Sequence, residues 1–231
     1  MSELLTLQNL SKRFGSQKVL EGVNLSVKQG EIVSVVGKSG SGKTTLLRLI
    51  SGLEQAESGE VVFPQGKQNI SMVFQDFALW PHKTVLDNVI EALIVVKKIP
   101  KEIAIAEGTE LLSLLGLSEK SGKYPHQLSG GEKQRAAIAR ALATKPKMLL
   151  LDEILSNLDS ENAFVIKETL RKLSSEGIAI LNVSHDLGFV KEVSDKIMLL
   201  ESGKLLELSG DELQTNPKDT LKNSQSDFRN P

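Results

Sequence analysis

The sequence has no cysteine, few aromatic residues and no long apolar run. Without cysteine, neither a disulfide framework nor a cysteine-ligated metal site is possible. The longest apolar runs, such as Met148 to Leu151, are far shorter than the about 18 residues that a membrane-spanning helix needs. The N-terminus has no basic segment followed by an apolar run, so we expect no signal peptide. These absences predict a soluble chain that reaches a membrane only through a partner.

The sequence also lacks an excess of charge of either sign. It carries 28 Lys and Arg against 29 Asp and Glu, for a formal net charge of −1. Such a balance gives no general attraction to the phosphate backbone, so we expect no nucleic-acid partner. A length of 231 residues suits one or two domains with a sizeable core.

One stretch matches the phosphate-binding pattern G-x-x-x-x-G-K-[ST]. Its members are Gly37, Lys38, Ser39, Gly40, Ser41, Gly42, Lys43, Thr44 and Thr45. Glycines let backbone N–H groups approach phosphate oxygens, lysine adds a charge near the terminal phosphates, and a threonine hydroxyl can hold Mg²⁺. An apolar strand precedes the stretch and a helical pattern follows it, which an accidental glycine-rich turn would not require. The sequence therefore predicts a nucleoside triphosphate site.

Apolar strands alternate with helical patterns along most of the chain, which predicts an α/β fold with a mostly parallel sheet. Two strand patterns, at 4–10 and 18–27, precede the phosphate loop and indicate a small antiparallel sheet beside the core. Apolar residues at helical spacing between 84 and 120 predict a helical insertion.

Two acidic residues, Asp152 and Glu153, end an apolar strand. Ligands of open parallel sheets bind beyond the carboxyl ends of the strands, so these acids should lie near the phosphate loop. One acid can support Mg²⁺ and the other can orient an attacking water. A solvated acidic pair is the alternative interpretation.

Ser129-Gly130-Gly131-Glu132 allows two interpretations. Ser-x-x-Glu before an apolar run is a capping box, which is a purely structural helix start. A helix N-terminus that begins with two glycines is also an anion site. Since the phosphate loop already provides one cradle, a second anion-facing helix end makes sense if it serves a nucleotide held by another copy of the chain.

Three further positions are ambiguous. His185 and Gln75 both follow predicted strands, where a hydrogen-bonded turn residue or a ligand-contacting side chain would each fit. Phe14 is either a turn aromatic packed on the sheet or a platform for a nucleobase.

The motifs in order are GKSGSGKTT (37–45), VFQD (73–76), LSGGEKQR (128–135), MLLLDE (148–153), SNLD (156–159) and SHD (184–186). This set resembles the ATP-binding subunit of an ABC transporter, from residue 1 to about 210, and LSGGEKQR is its most specific element. The resemblance implies a single ABC ATPase domain. Its expected parts are a P-loop core with an antiparallel β subdomain (1–76 and 146–215), a helical subdomain (77–145) and a polar tail (216–231).

The resemblance also implies roles for individual residues. Phe14 would stack on adenine, 37–45 would bind the phosphates, and Thr44, Gln75 and Asp152 would hold Mg²⁺. Glu153 would be the general base, with His185, Gln75 and Lys43 as further catalytic residues. Ser129, Gly130 and Gly131 would complete the site of the opposite subunit, and Asp159 would lie at the subunit contact. One departure stands out, since the family has a proline where this chain has Ile154.

The implied function is ATP hydrolysis that powers transport through a permease, as a head-to-tail dimer with ATP and Mg²⁺ bound. FALWPH (77–82) and HDLGFVKEV (185–193) are most similar to polar-amino-acid importers. We therefore expect a permease and a solute-binding protein as partners and a place on the inner face of the cell membrane. Phe77, Leu79 and Trp80 either dock on the permease or pack within the helical insertion. Alternatives are a lipoprotein-releasing or other non-import system, a soluble non-transport ABC ATPase and a P-loop kinase.

Overall fold

The computed structural model describes residues 2–66, 68–154 and 160–209, without the side chains of 160–162. In chain order the elements are β1 (Glu3–Phe14), β2 (Gln17–Lys28), β3 (Ile32–Val36), α1 (Lys43–Ser51), β4 (Ser58–Val62), β5 (Ile70–Val73), α2 (Val85–Val95), α3 (Lys101–Leu114), α4 (Gly130–Ala143), β6 (Met148–Asp152), α5 (Ser160–Ser175), β7 (Ala179–Ser184), α6 (Leu187–Val193), β8 (Lys196–Glu201) and β9 (Lys204–Glu207).

Six strands form the central sheet, in the order β5-β6-β7-β3-β8-β9. The first five run parallel, and β9 returns antiparallel to β8 as an edge. Asp152 at the end of β6 is paired with Val183, and Val36 at the end of β3 is paired with Ser184. The carboxyl ends of these strands therefore meet at one edge of the sheet, where each is followed by a loop.

A second sheet of three antiparallel strands, β2-β1-β4, packs beside the first. Helix α1 lies between the two sheets, and its Leu46 and Leu47 are fully buried with Leu5 of β1 and Val35 of β3. Burial from both sides explains why α1 is held firmly behind the phosphate loop.

The buried strand β6 faces two packing layers. Met148 and Leu150 belong to the cluster that contains α1, whereas Leu149 and Leu151 belong to the cluster on the other side of the sheet. This alternation follows from the two-residue period of a strand whose faces are both covered.

Helices α2, α3 and α4 pack on one another. Their buried residues belong to the same cluster as Leu149 and Leu151, on the side of the sheet opposite α1. They form the predicted helical insertion. In the described ranges, none of the helices is both long and apolar enough to cross a membrane.

The predicted fold class is confirmed, with a parallel core sheet, an antiparallel sheet and inserted helices. The first strand differs from its predicted bounds, because β1 extends from Glu3 to Phe14. Its pairing with β2 shifts register several times, and Asn9 has φ +49°, so apolar alternation is broken along its second half. Asp159 and the predicted polar tail lie outside the described residues.

Candidate functional site

The phosphate loop joins β3 to α1 and is shaped by its glycines. Gly42 has φ +106°, and a Cβ there would lie 2.8 Å from Cγ1 of Val19 in β2. A Cβ on Gly37 would lie 2.5 Å from the Leu200 carbonyl oxygen. Any side chain at either position would push the loop away from the strands that hold it.

The N-terminus of α1 is left open to a ligand. Its N-cap residue is Gly42, which has no side chain to accept from the first N–H groups, and its first turn contains no acid. The Ser41 hydroxyl is buried and has no hydrogen-bond partner in the described part of the chain. Free helix donors and an unpartnered hydroxyl fit a phosphate group, because anions are stabilised at helix N-termini.

Lys43 points back across the loop. Its Nζ donates to the carbonyl oxygens of Gly37 at 3.0 Å and Lys38 at 3.2 Å, and lies 3.1 Å from Oε1 of Glu153. The lysine side chain is only 3% exposed. A buried ammonium held this way is a fixed positive charge at the mouth of the loop.

Thr44 and Asp152 are brought together from the start of α1 and the end of β6. The Thr44 hydroxyl donates to Oδ1 of Asp152 at 2.9 Å. Burial, and after it the neighbouring charge of Glu153, raises the pKa of the Asp152 carboxyl, which the Thr44 hydrogen bond partly opposes. The described residues contain no cluster of three or more histidines and acids that could hold a metal. A hydroxyl and a carboxylate nevertheless suit Mg²⁺, which takes few protein ligands beside substrate phosphates.

Glu153 lies between Lys43 and His185. Its Oε2 is 3.7 Å from Nδ1 of His185, and its side chain is 19% exposed whereas that of His185 is 54% exposed. The backbone of Glu153 has φ +52°, a left-handed conformation that costs a non-glycine residue about 1–2 kcal/mol. Its N–H donates to the Val183 carbonyl at 3.0 Å, which ties the strained residue to β7.

In the described ranges, no hydrogen bond or ion pair joins Gln75 or Phe14 to this group of residues. Gln75 is exposed in the turn after β5, and in the described ranges no hydrogen bond joins it to Thr44 or Asp152. Phe14 ends β1 and is 49% exposed, with the Lys12 ammonium 5.0 Å from its ring centroid. An exposed aromatic face fits a stacking platform better than a core residue.

Ser129 begins α4 with a complete capping box. Its hydroxyl accepts from the Glu132 N–H at 3.2 Å, and Oε2 of Glu132 accepts from the Ser129 N–H at 2.8 Å. This N–H, and after it Lys120, lowers the pKa of Glu132 against the effect of burial. Gly130 is exposed, and a Cβ there would meet nothing within 4 Å. Both interpretations of this motif therefore remain compatible with the geometry, because a capped helix end can still present a bare glycine surface.

Sequence reasoning missed Gln134. This residue is 2% exposed on α4, and its Nε2 donates to the carbonyl oxygen of Ile154, the residue after Glu153. Its burial could have been predicted from the sequence. Gln134 precedes Ile138 and Ala141 at helical spacing and so lies on the apolar face of the helix.

Sequence reasoning also missed Arg140, which orders the loop after β5. It donates to the carbonyl oxygens of Phe77 at 2.9 Å and Ala78 at 2.5 Å, two residues with positive φ. Its guanidinium lies 5.3 Å from the Trp80 ring centroid, and burial lowers its pKa while Asp76 opposes this. Trp80 is 38% exposed, whereas Phe77 and Leu79 pack partly against the core. Of the three predicted docking residues, Trp80 therefore offers the most open surface.

Comparison with known proteins identifies the family of this chain. The family model described as ABC transporter matches residues 20–156. The L-cystine transport system ATP-binding protein TcyN of Escherichia coli (strain K12) is 42% identical over 221 residues, which cover 88% of this chain and 88% of that protein. The glutamine transport ATP-binding protein GlnQ of Bacillus subtilis (strain 168) is 41% identical over 229 residues, covering 94% and 95%.

Solved structures agree with the fold. A dimeric ATP-binding cassette in a post-hydrolysis state, bound to ADP and Pi, superposes with a TM-score of 0.80 at 33% identity, covering 90% of this chain and 100% of that one. The family model matches more than half of the chain, and both relatives are more than 40% identical to it along most of its length. This chain belongs to the ABC transporter family, among its ATP-binding subunits.

Proposed function

We infer that this chain is the ATP-hydrolysing subunit of a transport system, and that it powers import of a polar amino acid through a partner permease. The convergence of Lys43, the Thr44–Asp152 pair and Glu153 at one sheet edge carries the inference for ATP chemistry. The names of the two relatives, which concern transport of cystine and of glutamine, favour amino acids over the non-import alternatives.

We propose that the phosphates of ATP bind along 37–45, with the open end of α1 and the Lys43 ammonium at the terminal phosphates. Lys43 lies 3.1 Å from Glu153, so the γ-phosphate end of the substrate would meet both groups. Mg²⁺ bound by Thr44 and Asp152, with Gln75 as a further ligand, would neutralise charge on the phosphate oxygens. The exposed ring of Phe14 would stack on the adenine.

Glu153 is the proposed general base. Its carboxylate would take a proton from water as the water oxygen attacks the γ-phosphorus, the bond to the β–γ bridging oxygen breaks, and ADP leaves. His185, 3.7 Å from the same carboxylate, would contact the γ-phosphate. Lys43 would offset the charge that develops on the leaving group.

The tip of α4 would complete the site of a second copy. Ser129 and Gly130 are exposed and Gly131 is half-buried at the N-terminus of α4, so in a head-to-tail dimer this end can close over the triphosphate on the partner chain. Asp159 would lie at the same subunit contact. ATP would then favour the closed dimer, and hydrolysis would remove that preference.

The remaining partners follow from the proposed transport role. A permease would dock near Trp80 and the Gln75 turn, and a solute-binding protein would deliver the cargo to it. The chain would then lie on the inner face of the cell membrane. We also propose the division into a core (1–76 and 146–215), a helical subdomain (77–145) and a polar tail (216–231).

The test is reconstitution. The chain, its co-purifying permease and the solute-binding protein of the system would be reconstituted with liposomes, and uptake of a panel of polar amino acids would be measured with and without ATP. ATP-dependent uptake of at least one of them, lost with Glu153→Gln, is the expected result. Hydrolysis of ATP that never drives uptake of any amino acid would overturn the transport assignment while leaving the ATPase assignment intact.

A further inference from the structure

A buried amide links the proposed catalytic turn to α4. Nε2 of Gln134 donates to the carbonyl oxygen of Ile154, directly after Glu153. Gln134 is 2% exposed and Ile154 is 3% exposed. Water therefore has little access to this carbonyl, and the glutamine amide supplies a donor that satisfies it.

The turn that receives this hydrogen bond is strained at Glu153. Its φ of +52° is unfavourable for any residue with a Cβ, and such conformations persist only where the surroundings hold them. The Glu153 N–H donates to the Val183 carbonyl, and the Ile154 carbonyl accepts from the Gln134 side chain. The two hydrogen bonds thus restrain the backbone at the N–H of Glu153 and at the carbonyl of the residue that follows it.

The backbone at Ile154 has no ring of its own to restrain it. A proline would restrict the backbone dihedral by its ring, whereas Ile154 leaves that dihedral free. The side chain of Ile154 belongs to the same buried cluster as Ile138 of α4, and its carbonyl oxygen accepts from Gln134 of that helix. Helix α4 therefore restrains a backbone dihedral that Ile154 itself leaves free.

We propose that Gln134 is a positioning residue for ATP hydrolysis, because its side-chain amide holds the Ile154 carbonyl and thereby aims the Glu153 carboxylate at the attacking water. The proposal rests on the function proposed above, in which Glu153 is the base. It also places Ser129–Gly131 and the restraint on Glu153 on one helix, so that α4 would serve the partner's nucleotide at its N-terminus and its own base about one turn further along.

A purely structural glutamine would behave differently from a positioning one. Gln134→Met keeps an unbranched side chain of similar volume but removes the donor. We expect kcat for ATP to fall about tenfold with KM within twofold, since the phosphate loop is unchanged, which corresponds to about 1.4 kcal/mol in the barrier. Thr169→Val is the matched control, because it removes a buried hydroxyl bond to the Val165 carbonyl on α5. It should alter thermal stability without altering kcat.

Mixed dimers show which base Gln134 serves. Two differently tagged chains are co-expressed with the permease, and complexes that carry both tags are purified. In the first arrangement Gln134→Met lies on the chain that keeps Glu153, and the partner carries Glu153→Gln. In the second arrangement both substitutions lie on one chain and the partner is wild type. The first should turn over at least fivefold more slowly than the second.

Equal rates in the two arrangements, or a slower second arrangement, would overturn the proposal, since Gln134 would then act through the helix tip or through stability. A KM for ATP that rises by the same factor as kcat falls would also overturn the proposal, because substrate binding would then be affected as much as turnover. The wild-type complex and the Glu153→Gln homodimer are measured in parallel. If the wild type has no turnover, or if Glu153→Gln retains it, the proposed function fails rather than the role of Gln134.

Discussion

The proposed function assigns an anion to two helix N-termini of this chain, and their capping differs. Helix α1 follows Gly42, which offers no capping side chain, and its first turn carries Lys43 and no acid. Helix α4 follows Ser129, and its capping box already satisfies two backbone N–H groups, with Glu132 in the first turn. The first end is therefore open to a strongly bound phosphate, whereas the second is largely closed and carries a negative side chain.

The difference indicates a division of labour. An open end with a buried lysine can hold a triphosphate by itself. A capped end with an exposed glycine, Gly130, has little affinity alone, but it can approach a phosphate that another chain already holds. The comparison thus predicts that binding needs one chain and that turnover needs two.

The largest expected effect comes from Glu153→Gln. Binding at α1 does not need this carboxylate, whereas proton removal does, so turnover should fall about 10²–10⁴-fold while ATP still binds. ATP-dependent dimers should accumulate, because closure is no longer reversed by hydrolysis. Phosphate release and size-exclusion chromatography with and without ATP measure both effects. Hydrolysis at the wild-type rate would remove Glu153 from the role of base.

Gly42→Ala and Gly130→Ala compare the two ends directly. A Cβ at position 42 would meet Val19 at 2.8 Å with φ at +106°, so ATP affinity and thermal stability should both fall, the latter by about 1–3 kcal/mol. A Cβ at position 130 would meet nothing within 4 Å, so folding and single-chain ATP binding should change little while turnover drops. Calorimetric titration and thermal unfolding report the two quantities. Similar losses of ATP affinity in both variants would contradict the division of labour.

Phe14→Ala examines the aromatic surface at the end of β1. Loss of base stacking is worth about 1–3 kcal/mol, so ATP affinity should fall by roughly 5- to 150-fold. Affinity for tripolyphosphate, which has no base, should not change. An equal loss for both ligands would show that Phe14 supports the loop rather than the base.

The smallest effect concerns the cap of α4 and depends on pH. Hydrogen bonding to the Ser129 N–H holds the pKa of Glu132 below its ordinary value of 4.5. A lowered pKa means that the stabilisation is present above the ordinary value and is lost as pH falls through the folded-state pKa. Glu132→Gln should therefore unfold at a slightly lower temperature than wild type at pH 7, and the gap should close in acid below pH 4.5. A gap that widens in acid would contradict the assignment.

Much of the fold could be predicted because its signals are local. The phosphate loop, the buried strand before it and the apolar helix after it are contiguous, and the acids at 152 and 153 follow their strand directly. The extent of β1 could not be predicted, because its bulges break the alternation that defines a strand. The left-handed backbone of Glu153 and the hydrogen bond from Gln134 to Ile154 could not be predicted either. Both depend on contacts between residues 20 or more positions apart, which a single sequence does not specify.

The central claim is that each nucleotide is held by the α1 end of one chain and closed by the α4 end of another. Complementation tests it most directly. Chains with Lys43→Ala, which disables the first end, are mixed with chains with Gly130→Arg, which blocks the second, and ATP turnover is measured against each variant alone. We predict that each is inactive alone and that mixed dimers, which contain one intact composite site, regain up to half of the wild-type rate. No recovery in verified mixed dimers, or full turnover by Gly130→Arg alone, would contradict the account.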